Sequence, residues 1–134
     1  MIRSKILVIS GKNGSGKTYQ LKKIASNQNG CFFHADEVLN ILVQSITAIS
    51  ERLEEESVPV QLLPSNTTMV IFDDIDYAFK GKTQCQEELC KVILNMARQN
   101  IKVVIGVTDI EDISIIKQFL ASEQIKELVE WKMI

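Results

Sequence analysis

Short apolar runs rich in β-branched residues recur along the chain and predict strands. The first run spans Lys5 to Ser10 and ends at a glycine, as in a strand buried on both faces of a parallel sheet. Similar runs predict further strands at Cys31 to His34, Thr67 to Phe72, and Ile101 to Val107. A last run, Val129 to Ile134, is expected to close the sheet as a fifth strand.

Segments with apolar residues every three or four positions separate these strands and predict helices. They are Tyr19 to Asn27, a long helix from Asp36 that ends in the charged, solvated segment Glu51 to Glu56, a helix after Thr83, Asp112 to Leu120, and a turn at Ser122 to Glu127. Thr83 and Gln86 have the spacing of a capping box, so Thr83 is expected to be the N-cap of its helix. Strands that alternate with helices predict an α/β fold, in which right-handed crossovers cover both faces of a parallel sheet.

The length and charge of the chain exclude several classes of protein. A chain of 134 residues with 46% hydrophobic content suits one globular domain, so residues 1–134 are expected to form a single domain. A net charge of −2 disfavours autonomous DNA binding, and no run approaches the roughly 20 apolar residues of a membrane-spanning helix. The three cysteines match no zinc or thioredoxin spacing, which fits free thiols in a reducing cytoplasm. The segment Met1 to Ser10 has only a five-residue apolar run, so we expect no cleaved signal.

The segment Gly11-Lys-Asn-Gly-Ser-Gly-Lys-Thr18, between the first strand and the first helix, matches the P-loop pattern. Its glycines allow the backbone to turn its N–H groups towards phosphates, and the following helix adds a positive partial charge. We expect Lys17 to contact the β- and γ-phosphates and the Thr18 hydroxyl to bind Mg²⁺. For Lys12, contact with phosphate and simple solvation both remain open. The residues predicted to bind the nucleotide are Gly11, Lys12, Asn13, Gly14, Ser15, Gly16, Lys17, Thr18 and Tyr19.

Paired carboxylates follow the third predicted strand, in the sequence Met69-Val-Ile-Phe-Asp73-Asp74. This is the Walker B arrangement, in which adjacent side chains at a strand end point to different sides. Asp73 is expected to hold Mg²⁺ through its water shell and Asp74 to polarise an attacking water, with a solvated acidic turn as the alternative. Asp76 is in reach of this region but is assigned to a loop.

Weaker signals come from residues outside these two motifs. Thr108-Asp109 follows the fourth predicted strand and would place a polar side chain near the γ-phosphate, although an ordinary turn is the alternative. His34, the only histidine, lies beside aromatic residues and is expected to be structural. Trp131 is expected to belong to the core.

Residues 70–76 and 81–88 together resemble the core of bacterial DnaA-type initiators. The family's segment is an apolar strand, Asp-Asp-Ile, a short loop with Gly-Lys, and Thr-Gln-Glu-Glu opening a helix. In this chain the last part is Thr-Gln-Cys-Gln-Glu-Glu, residues 83–88. Leu94-Asn-Met-Ala-Arg98 and Glu130-Trp131 also resemble this family and its regulatory relative Hda. The resemblance implies an AAA+ P-loop NTPase core, which is a three-layer α/β/α sandwich with a five-stranded parallel sheet in the order 5-1-4-3-2. It also implies that Asp109 occupies the first sensor position.

Two departures from the family pattern change the expected activity. Glu127-Leu128-Val129 stands where the family has Ser-Arg-Phe with an arginine finger. The sequence reaches only to the fifth strand, so we expect neither the helical lid nor the DNA-binding helices of that family. Arginine fingers contribute on the order of 10³ or more in rate. We therefore expect slow ATP hydrolysis with Lys17, Asp74 and Asp109 as catalytic residues, and a role in DNA replication initiation or its regulation through protein contacts. A homo-oligomer, a non-hydrolysing nucleotide-dependent binding module and a small P-loop kinase remain open alternatives.

Overall fold

A five-stranded parallel sheet organises the part of the chain that the computed structural model describes, residues 5–12, 16–27, 30–34, 37 and 68–133. Its strands are β1 (Ile6–Ser10), β2 (Gly30–His34), β3 (Met69–Asp73), β4 (Lys102–Val107) and β5 (Val129–Met133). They lie in the order β2-β3-β4-β1-β5, and every neighbouring pair is parallel. Read from the other edge this is 5-1-4-3-2, so the predicted sheet and its strand order are confirmed.

The described helices are α1 (Lys17–Asn27), α2 (Ile75–Phe79), α3 (Thr83–Arg98) and α4 (Ser114–Leu120), with 3₁₀ turns at Ile110–Ile113 and Lys126–Leu128. The helices α1, α3 and α4 lie in segments where the hydrophobic pattern predicts them, whereas α2 was not predicted. Apart from Glu37, the predicted helix from Asp36 and its charged end lie outside the described residues, as do Thr67 and Ile134 at the ends of two predicted strands. None of the described helices has both the length and the apolar character needed to cross a membrane.

The sheet has a separate apolar cluster on each face. Leu21 and Ala25 of α1 pack against Ile9, Ile71 and Val104 on one face. The larger cluster on the other face joins the sheet to α2, α3 and α4, and includes Val70, Phe72, Phe79, Leu89, Ile93, Met96, Val103, Ile105 and Ile116. All five residues of β3 are buried, as expected for a central strand covered on both faces. This layering leaves the ends of the central strands as the accessible edge.

The predicted capping box at the start of α3 is wrong. Lys82 is the N-cap of this helix, Thr83 is its first residue, and no side chain makes a capping hydrogen bond. Gln86 is buried, and its Nε2 donates to the carbonyl oxygen of Phe79 at 2.8 Å. The Gln86 side chain therefore links α3 to α2, because it binds the buried carbonyl oxygen of Phe79 at the end of α2 instead of the N-terminus of its own helix.

The prediction that Trp131 belongs to the core is also wrong. Its side chain is 49% exposed, and Met133 on the same face of β5 is 83% exposed. The strand β5 is at the edge of the sheet and pairs only with β1 among the described strands. An edge strand receives less cover from the helices, so an apolar pattern there does not imply burial.

Candidate functional site

The residues singled out by the sequence meet at one edge of the sheet. The strands β1, β3 and β4 are parallel, so Ser10, Asp73 and Val107 end them at the same edge. The N–H of Gly11 donates to the carbonyl oxygen of Val107 at 3.1 Å and fixes the start of the P-loop beside the end of β4. Ligands of open α/β sheets bind at this edge.

The end of the P-loop passes directly into α1. Gly16 has a φ of +87°, in the left-handed region that glycine adopts without strain, and its carbonyl accepts from the N–H of Gln20 at 3.0 Å. The helix begins at Lys17, two residues earlier than predicted, so Lys17 and Thr18 lie in its first turn. The N–H groups of this turn have no acceptor within the helix, and together with the helix dipole they favour an anion.

The flanks of the P-loop are open to solvent. Lys12 and Gly16 are exposed, and the side chain of Tyr19 is 72% exposed. The middle of the loop, Asn13, Gly14 and Ser15, lies outside the described residues. The contacts predicted between residues 11–19 and a nucleotide therefore stay predictions.

Thr18 and Asp73, the predicted magnesium residues, are in direct contact. The Thr18 hydroxyl donates to Oδ2 of Asp73 at 2.8 Å. Asp73 is fully buried, and its Oδ1 has no hydrogen-bond partner among the described residues. A buried carboxylate oxygen without a partner is unfavourable unless a cation or donor approaches it. A hydroxyl beside a carboxylate is a donor set that suits Mg²⁺, so these residues fit the predicted metal.

Gly106 of β4 leaves room for this pair, a feature that the sequence analysis missed. A Cβ atom built at Gly106 would lie 2.6 Å from Cδ1 of Leu21 and 3.0 Å from Oδ1 of Asp73. A larger residue would therefore push against both α1 and the Asp73 carboxylate. The available signal was a glycine inside an otherwise β-branched strand, which often marks a close approach.

Lys17 links the ends of β3 and β4. Its side chain is 5% exposed, and its Nζ lies 3.3 Å from Oδ1 of Asp74 and donates to Oγ1 of Thr108 at 3.1 Å. Asp74 adopts a left-handed φ of 54° between β3 and α2, a conformation that aspartate tolerates better than most residues. The structure thus brings the predicted catalytic residues Lys17 and Asp74 together.

The structure places Thr108, rather than Asp109, against Lys17. Asp109 is exposed, and its Oδ1 accepts from the N–H of Glu111 at 3.0 Å, which caps the 3₁₀ turn Ile110–Ile113. A short polar side chain before a helical turn commonly binds the free N–H groups of that turn. The polar side chain that contacts Lys17 after β4 is therefore that of Thr108, and not that of Asp109, for which the sensor role was predicted.

Asp76, assigned to a loop by the sequence analysis, is instead a buried residue of α2. Its side chain is 5% exposed, and its oxygens accept from the backbone N–H groups of Thr108 at 3.0 Å and Asp109 at 2.9 Å. Hydrogen bonds from N–H groups to a carboxylate are about twice as strong as neutral ones. Asp76 therefore holds the end of β4 where Thr108 meets Lys17. The available signal was an acidic residue within the apolar segment Ile75–Phe79.

A cavity of about 620 Å³ opens beside these residues. It is lined by Asp74, Asp76, Tyr77, Lys80, Thr108 and Asp112. The side chain of Asp74 is 40% exposed, so its carboxylate contacts both Lys17 and solvent. Lys80 and Asp112 form a second ion pair at 3.5 Å. A carboxylate in this setting has access to water, which polarisation of an attacking water requires.

Known proteins resemble this chain in its fold. Domain III of the Thermotoga maritima replication initiation protein DnaA matches with a TM-score of 0.67 and 21% identity, over 97% of this chain and 55% of that one. AMPPCP-bound DnaA from Aquifex aeolicus matches with a TM-score of 0.62 and 13% identity, over 97% and 40%. A replication initiator DnaA bound to AMPPCP and single-stranded DNA gives 0.66 and 14%, over 97% and 40%.

The same comparisons define how far the likeness extends. This chain spans about half or less of the length of those solved chains, and no curated protein matches its sequence. Residues 7–128 match the model of the ATPase family associated with various cellular activities (AAA). Because that model covers most of the sequence, this chain belongs to the AAA family of ATPases, and its fold is that of a DnaA AAA+ domain.

Proposed function

We propose that residues 1–134 form one domain that binds ATP, or ADP, with Mg²⁺ and hydrolyses ATP slowly. We propose further that it acts in DNA replication initiation or its regulation through protein contacts. The observation that carries the proposal is the meeting of Lys17 and Thr18, at the start of α1, with the carboxylates of Asp73 and Asp74. These groups supply a cation for phosphates and oxygen ligands for a metal within one edge of the sheet.

Binding follows from the charges at this edge. The triphosphate would lie at the N-terminus of α1, where the N–H groups of the first turn point outward. Lys17 is already desolvated at 5% exposure and needs only to exchange the Asp74 carboxylate for phosphate oxygens. Thr18 and Asp73 would hold Mg²⁺, which would neutralise phosphate charge when bound.

Slow turnover follows from the remaining groups. Asp74 would polarise the attacking water. By the resemblance to DnaA-type initiators, the exposed Glu127 lies in the segment where that family has its arginine finger. A carboxylate there cannot stabilise the negative charge that develops during phosphoryl transfer, so this chain lacks a contribution on the order of 10³ in rate.

Protein contacts are supported by large apolar side chains on the surface. Tyr77 is 81% exposed, Trp131 49% and Met133 83%. The replication role rests on the named relatives, two of which are described as replication initiation proteins. The net charge of −2 argues against DNA as the first partner of this chain.

Calorimetry with the variant Lys17→Ala tests nucleotide binding. Loss of a hydrogen-bonded cation is expected to weaken ATP–Mg²⁺ affinity on the order of 10- to 100-fold. Lys23→Ala is the matched control, because it removes an exposed lysine from the same helix and should leave the affinity unchanged. Equal affinity of Lys17→Ala and the unmodified protein would defeat the proposal.

A binding module that uses ATP without turnover is the second candidate. The observation in its favour is that the Asp74 carboxylate is paired with Lys17, and so is partly withdrawn from a role in catalysis. Single-turnover hydrolysis separates the two. A rate above background that disappears in Asp74→Asn supports the ATPase, whereas a rate that equals the background supports the binding module.

A further inference from the structure

His34, Asp73 and Asp74 bring three metal-binding side chains to one point. His34 is the last residue of β2 and pairs in register with Asp73, the last residue of β3, so their side chains leave the same face of the sheet. A ring nitrogen of His34 and one carboxylate oxygen from each aspartate all lie within 4.8 Å of one another. A purely structural role, as expected for His34 from the sequence, does not explain why its ring nitrogen lies so close to two carboxylates.

The local charges favour a cation at this point. Asp73 is fully buried, its Oδ2 accepts from Thr18, and its Oδ1 has no partner among the described residues. In the described part of the chain, Lys17 forms an ion pair with Asp74 at 3.3 Å, and no recorded ion pair involves Asp73. Two carboxylates and one ammonium leave a net negative charge beside a buried oxygen.

The imidazole ring of His34 packs against a neighbouring aromatic ring. The rings of His34 and Phe32 pack edge to face, with their centroids 5.3 Å apart and their planes at 88°. The imidazole therefore has an aromatic contact on one side, while the residue as a whole remains exposed. A ring nitrogen that lies near the two carboxylates on an exposed residue can take up an ion without a change in the fold.

We propose that His34, Asp73 and Asp74 form a site for a divalent first-row transition cation that binds without nucleotide. Imidazole is a good ligand for these cations, whereas Mg²⁺ prefers oxygen ligands and commonly relies on substrate phosphates. Three protein ligands leave positions open for water. The site shares Asp73 with the Mg²⁺ site of the proposed function but needs neither a phosphate nor Lys17.

Lys17 separates this site from the nucleotide site. Its ammonium is 3.3 Å from the Asp74 carboxylate and repels a cation that approaches the same group. Lys17→Ala is therefore expected to tighten the binding of a transition cation, although it weakens the binding of ATP. Opposite responses to one substitution distinguish the two sites.

The test uses Co²⁺ and the full, tag-free chain without nucleotide. The chain has only one histidine, so every imidazole signal in a proton NMR spectrum reports on His34. Saturable paramagnetic shifts of those signals are expected, together with visible absorption of bound Co²⁺. His34→Gln and Asp74→Asn should each weaken Co²⁺ binding at least tenfold. Glu127→Gln, a charge-matched change in the 3₁₀ turn before β5, should alter it less than twofold.

Three results would overturn the proposal. They are unshifted imidazole signals at millimolar Co²⁺, equal Co²⁺ affinity in His34→Gln, and near-ultraviolet bands of Co²⁺ bound to a thiolate, which would assign the ion to a cysteine. Failure of the nucleotide proposal is recognised separately, because ATP binding would then be absent while Co²⁺ still binds to His34. Millimolar Mg²⁺ should not displace the Co²⁺, and displacement at equal concentration would also contradict the site.

Discussion

Replacing Asp74 by asparagine should strengthen nucleotide binding while it slows turnover. The Asp74 carboxylate lies 3.3 Å from the Lys17 ammonium, and phosphates must compete with it for that cation. Two unit charges at this distance interact with about 1.3 kcal/mol in water, and pairs that are partly exposed contribute roughly 0 to 1 kcal/mol. Release of Lys17 is therefore worth about 1 kcal/mol, which corresponds to roughly fivefold tighter binding of ATP–Mg²⁺.

The rate of hydrolysis should respond in the opposite direction. Loss of a group that polarises water typically lowers the rate by about 10² to 10⁴. Calorimetry gives the affinity, and single-turnover hydrolysis with excess protein gives the rate. The expected pattern is thus a tighter complex that turns over more slowly, which simple damage to the site would not produce.

Asp112→Asn is the matched control for the charge. Asp112 lines the same cavity but pairs with Lys80 at 3.5 Å, so its replacement removes one negative charge without freeing Lys17. The affinity should change by less than twofold. Weaker binding in Asp74→Asn, or an equal gain in Asp112→Asn, would refute the reasoning that Lys17 is held in competition with phosphate.

Three further predictions concern the residues that support the site and the core. Asp76→Asn should lower the free energy of unfolding by about 1 to 3 kcal/mol, because its new amide group would face a backbone N–H of Thr108 or Asp109. Urea unfolding measures this change, and an unchanged midpoint would contradict the role of the Asp76 carboxylate. Gly106→Ala should lower the free energy of unfolding by about 1 to 3 kcal/mol and weaken ATP–Mg²⁺ binding, because the new Cβ would press on Leu21 and Asp73. An unchanged affinity for ATP–Mg²⁺ would contradict the close approach of Gly106 to Asp73. Burial, with a smaller contribution from nearby Glu87, raises the pKa of the Cys90 thiol from 9.0 to about 12. Between these values the unfolded state loses the proton first, so stability should fall as pH rises above about 9, and this fall should flatten in Cys90→Ala when unfolding is followed in urea.

The pattern of apolar residues predicts the strands of the sheet, but it does not predict which side chains of an edge strand are buried. Central strands buried on both faces carry continuous apolar runs, which is why β1, β3 and β4 were found within two residues of their observed ends. The edge strand β5 has the same kind of run but leaves Trp131 exposed, because burial depends on which layers cover a strand. Sequence periodicity contains no information on that cover.

The candidate site shows the same limit at the level of single side chains. Motif spacing identified Lys17, Thr18, Asp73 and Asp74, since each must stand at a fixed distance from a strand end. It did not decide which residue after β4 faces Lys17, because that depends on a 3₁₀ turn whose first N–H groups bind the Asp109 side chain. The cluster at His34 depends on the register of β2 against β3, which no local pattern encodes.

The segment from Asp73 to Asp76 joins the parts of the site to one another. Its three carboxylates bind, in order, the Thr18 hydroxyl, the Lys17 ammonium and the backbone N–H groups after β4. Two of these contacts are to neutral donors that a nucleotide need not displace. The contact of Asp74 with Lys17 is different, because the ammonium must serve phosphate instead. Occupation of the P-loop is therefore expected to release Asp74, at the start of α2, while Asp76 keeps the end of β4 in place.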